Sequence, residues 1–201
     1  DHAAAALIAE RMRAERHQDG LGGEEATRPT AVSGRTWFVD PVDGTYNFLS
    51  GLPLWCSALA LADSSGEPLL GAVFMPVTGE LWLGGRDQPA SCNGEPLARL
   101  AERPLRELSL ASYLHPPRLA NDGLREPLLR AIGGAATLRM LGSGSVELAG
   151  VASGRLGAWL HGDSPSWDWL PGAALVQAAG GSTAVIEAHG HRWHIAGNVR
   201  A

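Results

Sequence analysis

The stretch Asp40-Pro41-Val42-Asp43-Gly44-Thr45-Tyr46-Asn47-Phe48 gathers two carboxylates, a turn and a hydroxyl into nine residues. The apolar run Trp37-Phe38-Val39 before it predicts a buried strand, which places both aspartates at a strand's end. Pro41 disfavours helix for Asp40 and holds that residue extended. Asp43 and Gly44 complete a turn, with glycine supplying positive φ at no steric cost. Asp40 and Asp43 can then face one point. Two carboxylates about 4 Å apart repel by roughly 4 kcal/mol at an effective dielectric near 20. A hard divalent cation with oxygen ligands is the natural compensation. An isolated D-P-x-D-G is ordinarily a solvated turn, and it is Thr45, Asn47 and Phe48 at fixed spacing behind it that point to a site.

Elements on both sides must position these groups. Residues 1 to about 17 have helical spacing of apolar positions, and residues 18–36 are polar, Gly-rich and loop-like, with Glu24 emerging from them. Leu54 to Leu61 predicts an apolar strand, and Gly71 to Leu83 a hairpin around Pro76-Val77-Thr78-Gly79. Residues 84–107 are expected to be a loop joining two halves, 1–105 and 106–201, of one compact catalytic unit. A strand at Leu108–Tyr113, a helix at Leu124–Ile132 and a second helix opening from Gly142-Ser143-Gly144-Ser145 follow. After a strand at Arg155–Leu160, an amphipathic helix is expected from Trp167 to Ala179, stopped by Gly180-Gly181. Alternating strands and helices favour a layered α/β architecture.

With 201 residues, 45% hydrophobic and 18% charged, the chain has ample material for a globular core. A net charge of −5 argues against nonspecific nucleic-acid binding. No apolar run approaches the length of a membrane span, and no signal peptide is expected in this sequence. Cys56 and Cys92 lie outside any zinc or nucleophile pattern and read as free thiols of a reducing cytoplasm. His189, His191 and His194 lack the companion ligands of a zinc site.

Three motifs together resemble the inositol monophosphatase superfamily of Mg²⁺-dependent, lithium-sensitive phosphatases. They are Gly23-Glu24-Glu25, the stretch Asp40–Phe48, and Trp167-Asp168 followed by Gly172, Leu175 and Ala179-Gly180-Gly181. The resemblance covers nearly the whole chain and implies an α+β fold of stacked layers, an αβαβα sandwich. It also implies an earlier helix and a short strand ahead of Asp1, a cytoplasmic homodimer, and two or three Mg²⁺ ions. Carried over position by position, Glu24 and Asp40 with the Val42 carbonyl would hold one ion, and Asp40, Asp43 and Asp168 a second. A metal-activated water would attack a small polyol-type phosphate, with Glu24, Asp43 and Thr45 as catalytic residues. Asp43, Gly44, Thr45, Ser143, Gly144, His161 and Asp168 would meet the substrate. Relatives of this fold also use histidinol phosphate, fructose 1,6-bisphosphate and 3′-phosphoadenosine 5′-phosphate, and a metal-binding regulatory protein without catalysis is a further reading.

The chain departs from the pattern at His161, where inositol phosphatases have a glutamate for the inositol hydroxyls. A carboxylate accepts two hydrogen bonds from a diol, whereas neutral imidazole accepts one and donates one. Either His161 meets a different leaving alcohol, or Asp163 takes over the polyol, or His161 is simply exposed at a strand end. Thr45 is open in the same way, as a site residue or as the N-cap of the helix behind it.

Overall fold

The structure, a computed structural model, describes residues 2–24 and 31–200. In chain order its elements are α1 (His2–Glu15), β1 (Gly20–Gly23), β2 (Thr36–Asp43), α2 (Thr45–Leu49), β3 (Cys56–Ala62), β4 (Pro68–Met75), β5 (Glu80–Gly85), β6 (Gln88–Cys92) and β7 (Glu95–Pro96). The second run is β8 (Ser109–Ala111), α3 (Asp122–Gly134), β9 (Thr137–Arg139), α4 (Gly144–Ala152), β10 (Ala158–Gly162), α5 (Ser166–Ala178), β11 (Ser182–Ala188) and β12 (His191–Gly197). The first seven strands form one sheet in sequence order, antiparallel except for the parallel pair β1–β2. The other five form a mixed sheet in the order β11-β12-β10-β8-β9.

Side-chain alternation assigns the layers. Phe38, Ala58 and Ala60 join the main core with Leu175 and Val176 of α5, whereas Trp37, Val39 and Leu59 point the other way onto Ala9 of α1. In the second sheet Trp159 and Ala196 face that same main core, while Leu160 and Trp193 pack on Leu124 and Leu128 of α3. Successive strand residues point to opposite faces, so α4 and α5 lie between the two sheets, with α1 and α3 outside them. This is the expected αβαβα sandwich.

Three sequence expectations fail locally. Residues 18–36 contain strand β1, hidden because Gly20, Gly22 and Gly23 carry no strand signal of their own. It is tied down by Asp19, which accepts hydrogen bonds from Trp37 Nε1 at 2.9 Å and Ser33 Oγ at 2.6 Å. Residues 84–107 are not merely a joining loop, since β6 and β7 extend the first sheet by two strands. Helix α5 is not amphipathic: Trp169 through Val176 are all buried, because this helix is covered by a sheet on each side. Cys56 and Cys92 are free.

Candidate active site

Asp40 and Asp43 are three residues apart on β2, a spacing that would send them to opposite faces of a regular strand. The pairing with β3 shows why they do not diverge. Asp40 lies opposite Ala58 and Asp43 opposite Cys56, so three steps on β2 span two on β3. That is a bulge, and the extra residue restores a common direction. Pro41 fits inside it because a bulge leaves one ladder donor unneeded. Ser57 Oγ donates to the Pro41 carbonyl at 2.7 Å, and Asp40 Oδ1 accepts the Val42 N–H at 3.0 Å, fixing the distortion. Gly44 then turns the chain at φ 91°, where an added Cβ would stand 3.0 Å from the Leu54 carbonyl oxygen.

The remaining groups arrive from the helical layer and the second sheet. The N-terminal turn of α4 abuts Asp43, with the Ser145 N–H donating to Asp43 Oδ2 at 2.6 Å. Ser143 is the N-cap of α4, its Oγ accepting from Val146 N at 3.3 Å. Asp168 enters from the first turn of α5. Asn47 clamps the approach by donating to the carbonyls of both Leu54 and Leu141, at 2.6 and 2.7 Å. His161 stands near the end of β10, its ring stacked on Trp159 with centroids 5.5 Å apart.

All ten site residues expected from the sequence line one cavity of about 440 Å³: Glu24, Asp40, Val42, Asp43, Gly44, Thr45, Ser143, Gly144, His161 and Asp168. Glu25, the second acid of the Gly23-Glu24-Glu25 motif, lies outside the described residues. Two expectations are corrected. Asp163 is not among the lining residues. It is engaged by Arg118, by His191 Nδ1 at 2.7 Å and by the Arg192 N–H at 2.9 Å, which brace the strand end from outside. Nor is Thr45 the N-cap of α2, since Gly44 holds that position and the Thr45 hydroxyl donates to the Val42 carbonyl at 3.0 Å. Because α2 is a single turn, contacts from Gly44 and Thr45 would act as individual N–H groups rather than as the end of a long dipole.

The sequence reading missed Glu147, Tyr113, His115 and Met140, which share the lining. Glu147 carried a signal: a lone acid between Val146 and Leu148 in an apolar helix. It is buried and accepts from Leu141 N at 2.7 Å and Trp159 Nε1 at 2.8 Å. Tyr113 and His115, beyond the end of β8, gave none.

The electrostatics are those of crowded, desolvated acids. Burial, then Asp43, Asp168 and Glu24, push the Asp40 carboxyl up to about 9. Burial and Asp43 raise Asp168 to about 7, against a hydrogen bond from Asp40. Asp43 is raised by burial although the N–H and hydroxyl groups at the start of α4 oppose it. The imidazole of His161 goes the other way, down to about 4, through burial and then the Arg118 charge.

Among the described residues, no three Asp, Glu, His or Cys side chains already close on one point. The donor chemistry nevertheless fits a hard cation: four carboxylates and a backbone carbonyl, all oxygen, in a cavity whose described lining contains neither arginine nor lysine. The three C-terminal histidines have other work. His191 bonds Asp163 and Asn121, His189 meets Arg130, and His194 is buried edge-on against Trp169.

The fold and the site thus define a layered α+β protein with an acidic, oxygen-lined cavity where its two sheets and central helices meet. A profile of the inositol monophosphatase family matches residues 1–199, and the chain belongs to that family. An inositol-1-monophosphatase from Rhizobium meliloti (strain 1021) is 33% identical over 94% of this chain and 72% of its own length. A histidinol-phosphatase from Mycobacterium tuberculosis is 33% identical over 74% of this chain and 62% of its own. The extragenic suppressor protein suhB from Bartonella henselae matches with a TM-score of 0.86 and 27% identity, covering 100% of this chain and 79% of that one. The fold is also that of an inositol monophosphatase from Anabaena, at a TM-score of 0.88 and 24% identity, covering 100% of this chain and 81% of that one. The chain spans 55 to 72% of the length of the first curated relatives it matches. These named relatives of the family are phosphatases, hydrolases of phosphoric monoesters. No helix among the described residues is long and apolar enough to cross a membrane.

Proposed function

We propose that the chain is a Mg²⁺-dependent phosphomonoesterase. One observation carries this: Glu24, Asp40, Asp43 and Asp168 share a cavity whose described lining has no arginine or lysine. A phosphate dianion would be repelled from such a place unless cations came with it. Asp40, Asp43, Asp168, Glu24 and the Val42 carbonyl would hold them. When bound, the ions would offset the carboxylate charge, meet the phosphate oxygens and make a water more acidic.

The protein's own groups then have separate tasks. Glu24, exposed at the cavity edge, takes the proton of the attacking water. The Thr45 hydroxyl, whose hydrogen is directed to Val42, orients that water through its lone pairs. As the water oxygen bonds to phosphorus, the ester bond breaks and the leaving oxygen takes up a proton. The Ser145 N–H favours the ionised form of Asp43 against its burial and fixes the carboxylate in direction.

The test is release of inorganic phosphate from a panel of monoesters, with Mg²⁺ or with EDTA, for the natural chain and for Asp43→Asn. Turnover that needs Mg²⁺ and falls by orders of magnitude in D43N is expected. Retention of most activity by D43N would refute the metal assignment.

A further inference from the structure

Strands β8 and β10 run parallel only as far as the pairs Ala158–Leu110 and Trp159–Ala111. Beyond them the chain after β8 is tied to β10 by side chains. Ser112 Oγ donates to the Leu160 carbonyl at 2.6 Å, and Arg118 Nη1 donates to the Gly162 carbonyl at 3.2 Å. Residues 112–118 therefore form an arch, its two feet on the carbonyls either side of His161. Tyr113 and His115 of the arch and His161 of β10 all line the cavity. The two arch rings meet edge to face, with centroids 5.5 Å apart. Pro116 and Pro117 fix their own φ on the way to Arg118.

The two feet are unlike. Ser112 is buried, and its foot is a neutral bond at the edge of the sheet. Arg118 is partly exposed, and its second guanidinium nitrogen goes to the Asp163 carboxylate. Asp163 has left-handed backbone, at φ 57°, and also accepts the Arg192 N–H at 2.9 Å, with His191 Nδ1 2.7 Å away. Aspartate adopts this conformation more readily than most residues, yet keeps it only where its surroundings hold it. Neither Arg118 nor Asp163 is among the lining residues. They act on a bound ester through the arch or through charge alone.

Resting on the phosphomonoesterase reading, we propose that Arg118 is a positioning residue for substrate selection. Clamped to the Gly162 carbonyl and to Asp163, it holds the Tyr113–His115 wall against the leaving alcohol and so sets the size of alcohol that the cavity accepts. The acids do not depend on the arch, since Asp40 and Asp43 sit on β2 and Asp168 on α5. Loosening the clamp therefore acts on bulky leaving groups and spares the hydrolytic end of the site.

The experiment measures kcat and KM with Mg²⁺ for glycerol 2-phosphate, whose leaving alcohol is small, and for the bulkier myo-inositol 1-phosphate and histidinol phosphate. It compares the natural chain with Arg118→Gln, Arg118→Lys and Asp163→Asn. Lysine keeps the positive charge near His161 without the planar fork, and asparagine tolerates the left-handed backbone of residue 163. In R118Q the better-used bulky ester should lose about tenfold in kcat/KM, chiefly through KM, while glycerol 2-phosphate changes by less than about twofold. R118K and D163N should show the same split. Amide exchange gives a readout without turnover. The Arg118 and Leu119 N–H groups, bonded to the His115 and Pro116 carbonyls, should exchange faster in R118Q while those of α5 do not. Equal losses on small and bulky esters, natural discrimination in R118K, or unchanged exchange at Arg118 and Leu119 would each overturn the inference and leave the phosphatase reading standing. No phosphate from any ester by the natural chain would remove that reading, and the inference with it.

Discussion

At the scale of single residues, the site is a set of acids placed where their charge is least comfortable. Glu147 shows how a residue outside the metal set supports the others. Its two carboxyl oxygens each accept from a different donor, Leu141 N and Trp159 Nε1. Leu141 in turn is held by Asn47, and Trp159 carries His161. An amide has one acceptor, so Glu147→Gln must turn its NH₂ toward one of these N–H groups. The cost is that of a buried unsatisfied donor, about 1–3 kcal/mol. We expect a lower Tm, and a KM that rises more than kcat falls, because the cavity wall moves while the catalytic acids stay. An unchanged Tm would show that the wall does not depend on Glu147. This residue stands outside the legible motifs. Asp40, Asp43 and Thr45 stand out by their own spacing, whereas Glu24 and Asp168 are reached only through the resemblance of their motifs to the family. Glu147, Tyr113 and His115 reach the cavity only through tertiary packing, which one sequence does not display. His161 was named for its position, but its stacking on Trp159 belongs to the assembled sheet.

At the scale of elements, most of the chain was legible, because periodicity and turn residues agree: the hairpin β4–β5, helices α3 and α4, and the stop after α5. No expectation gave a range for β9, β11 or β12, and the misses in the first sheet share a cause. Strand β1 is almost all glycine, and β6 and β7 are short and interrupted by turn residues, so pairing partners rather than intrinsic preference make them strands. Helix α5 was read as one-sided because its true surroundings, a sheet on each face, are a property of the assembled layers. The crossing of α4 and α5 depends on Gly172, where an added Cβ would lie 2.1 Å from the Leu148 Cβ. A rotamer change cannot relieve a clash between Cβ atoms, so the helices would have to part. Gly172→Ala should cost at least the 1–3 kcal/mol typical of overpacking. Since α5 carries Asp168 and α4 carries the Ser145 N–H, phosphate release should fall along with Tm. A variant with full stability and activity would mean that the two helices slide freely, against the close packing described above.

At the scale of the whole molecule, the cavity sets activity against stability, and pH separates the two. The Asp40 and Asp168 carboxyls are pushed up to about 9 and about 7 by burial and by one another. A carboxyl raised on folding binds its proton more tightly in the native state, so its contribution is full at acid pH and is lost as pH rises through the folded value. His161, lowered to about 4, has its effect below pH 6.5, where falling pH destabilises. Between about pH 6.5 and 9 the acids therefore dominate, and in EDTA the Tm should decline across that window. Divalent ions bind the ionised carboxylates and so compete with protons. They stabilise the fold in proportion to the logarithm of ligand over Kd. The Tm increment from Mg²⁺ should then grow as pH rises. At pH 8 a carboxyl raised to about 9 must take up a proton on folding, and Asp40→Asn removes that cost while keeping an oxygen to accept the Val42 N–H. It should melt higher than the natural chain in EDTA at pH 8, yet gain little from Mg²⁺ and turn over far more slowly. Thermal unfolding with and without Mg²⁺ across this range decides the matter. A flat EDTA profile would mean that the acids are not raised on folding, and an Mg²⁺ increment that D40N keeps in full would mean that the acidic cavity is not where the ion binds.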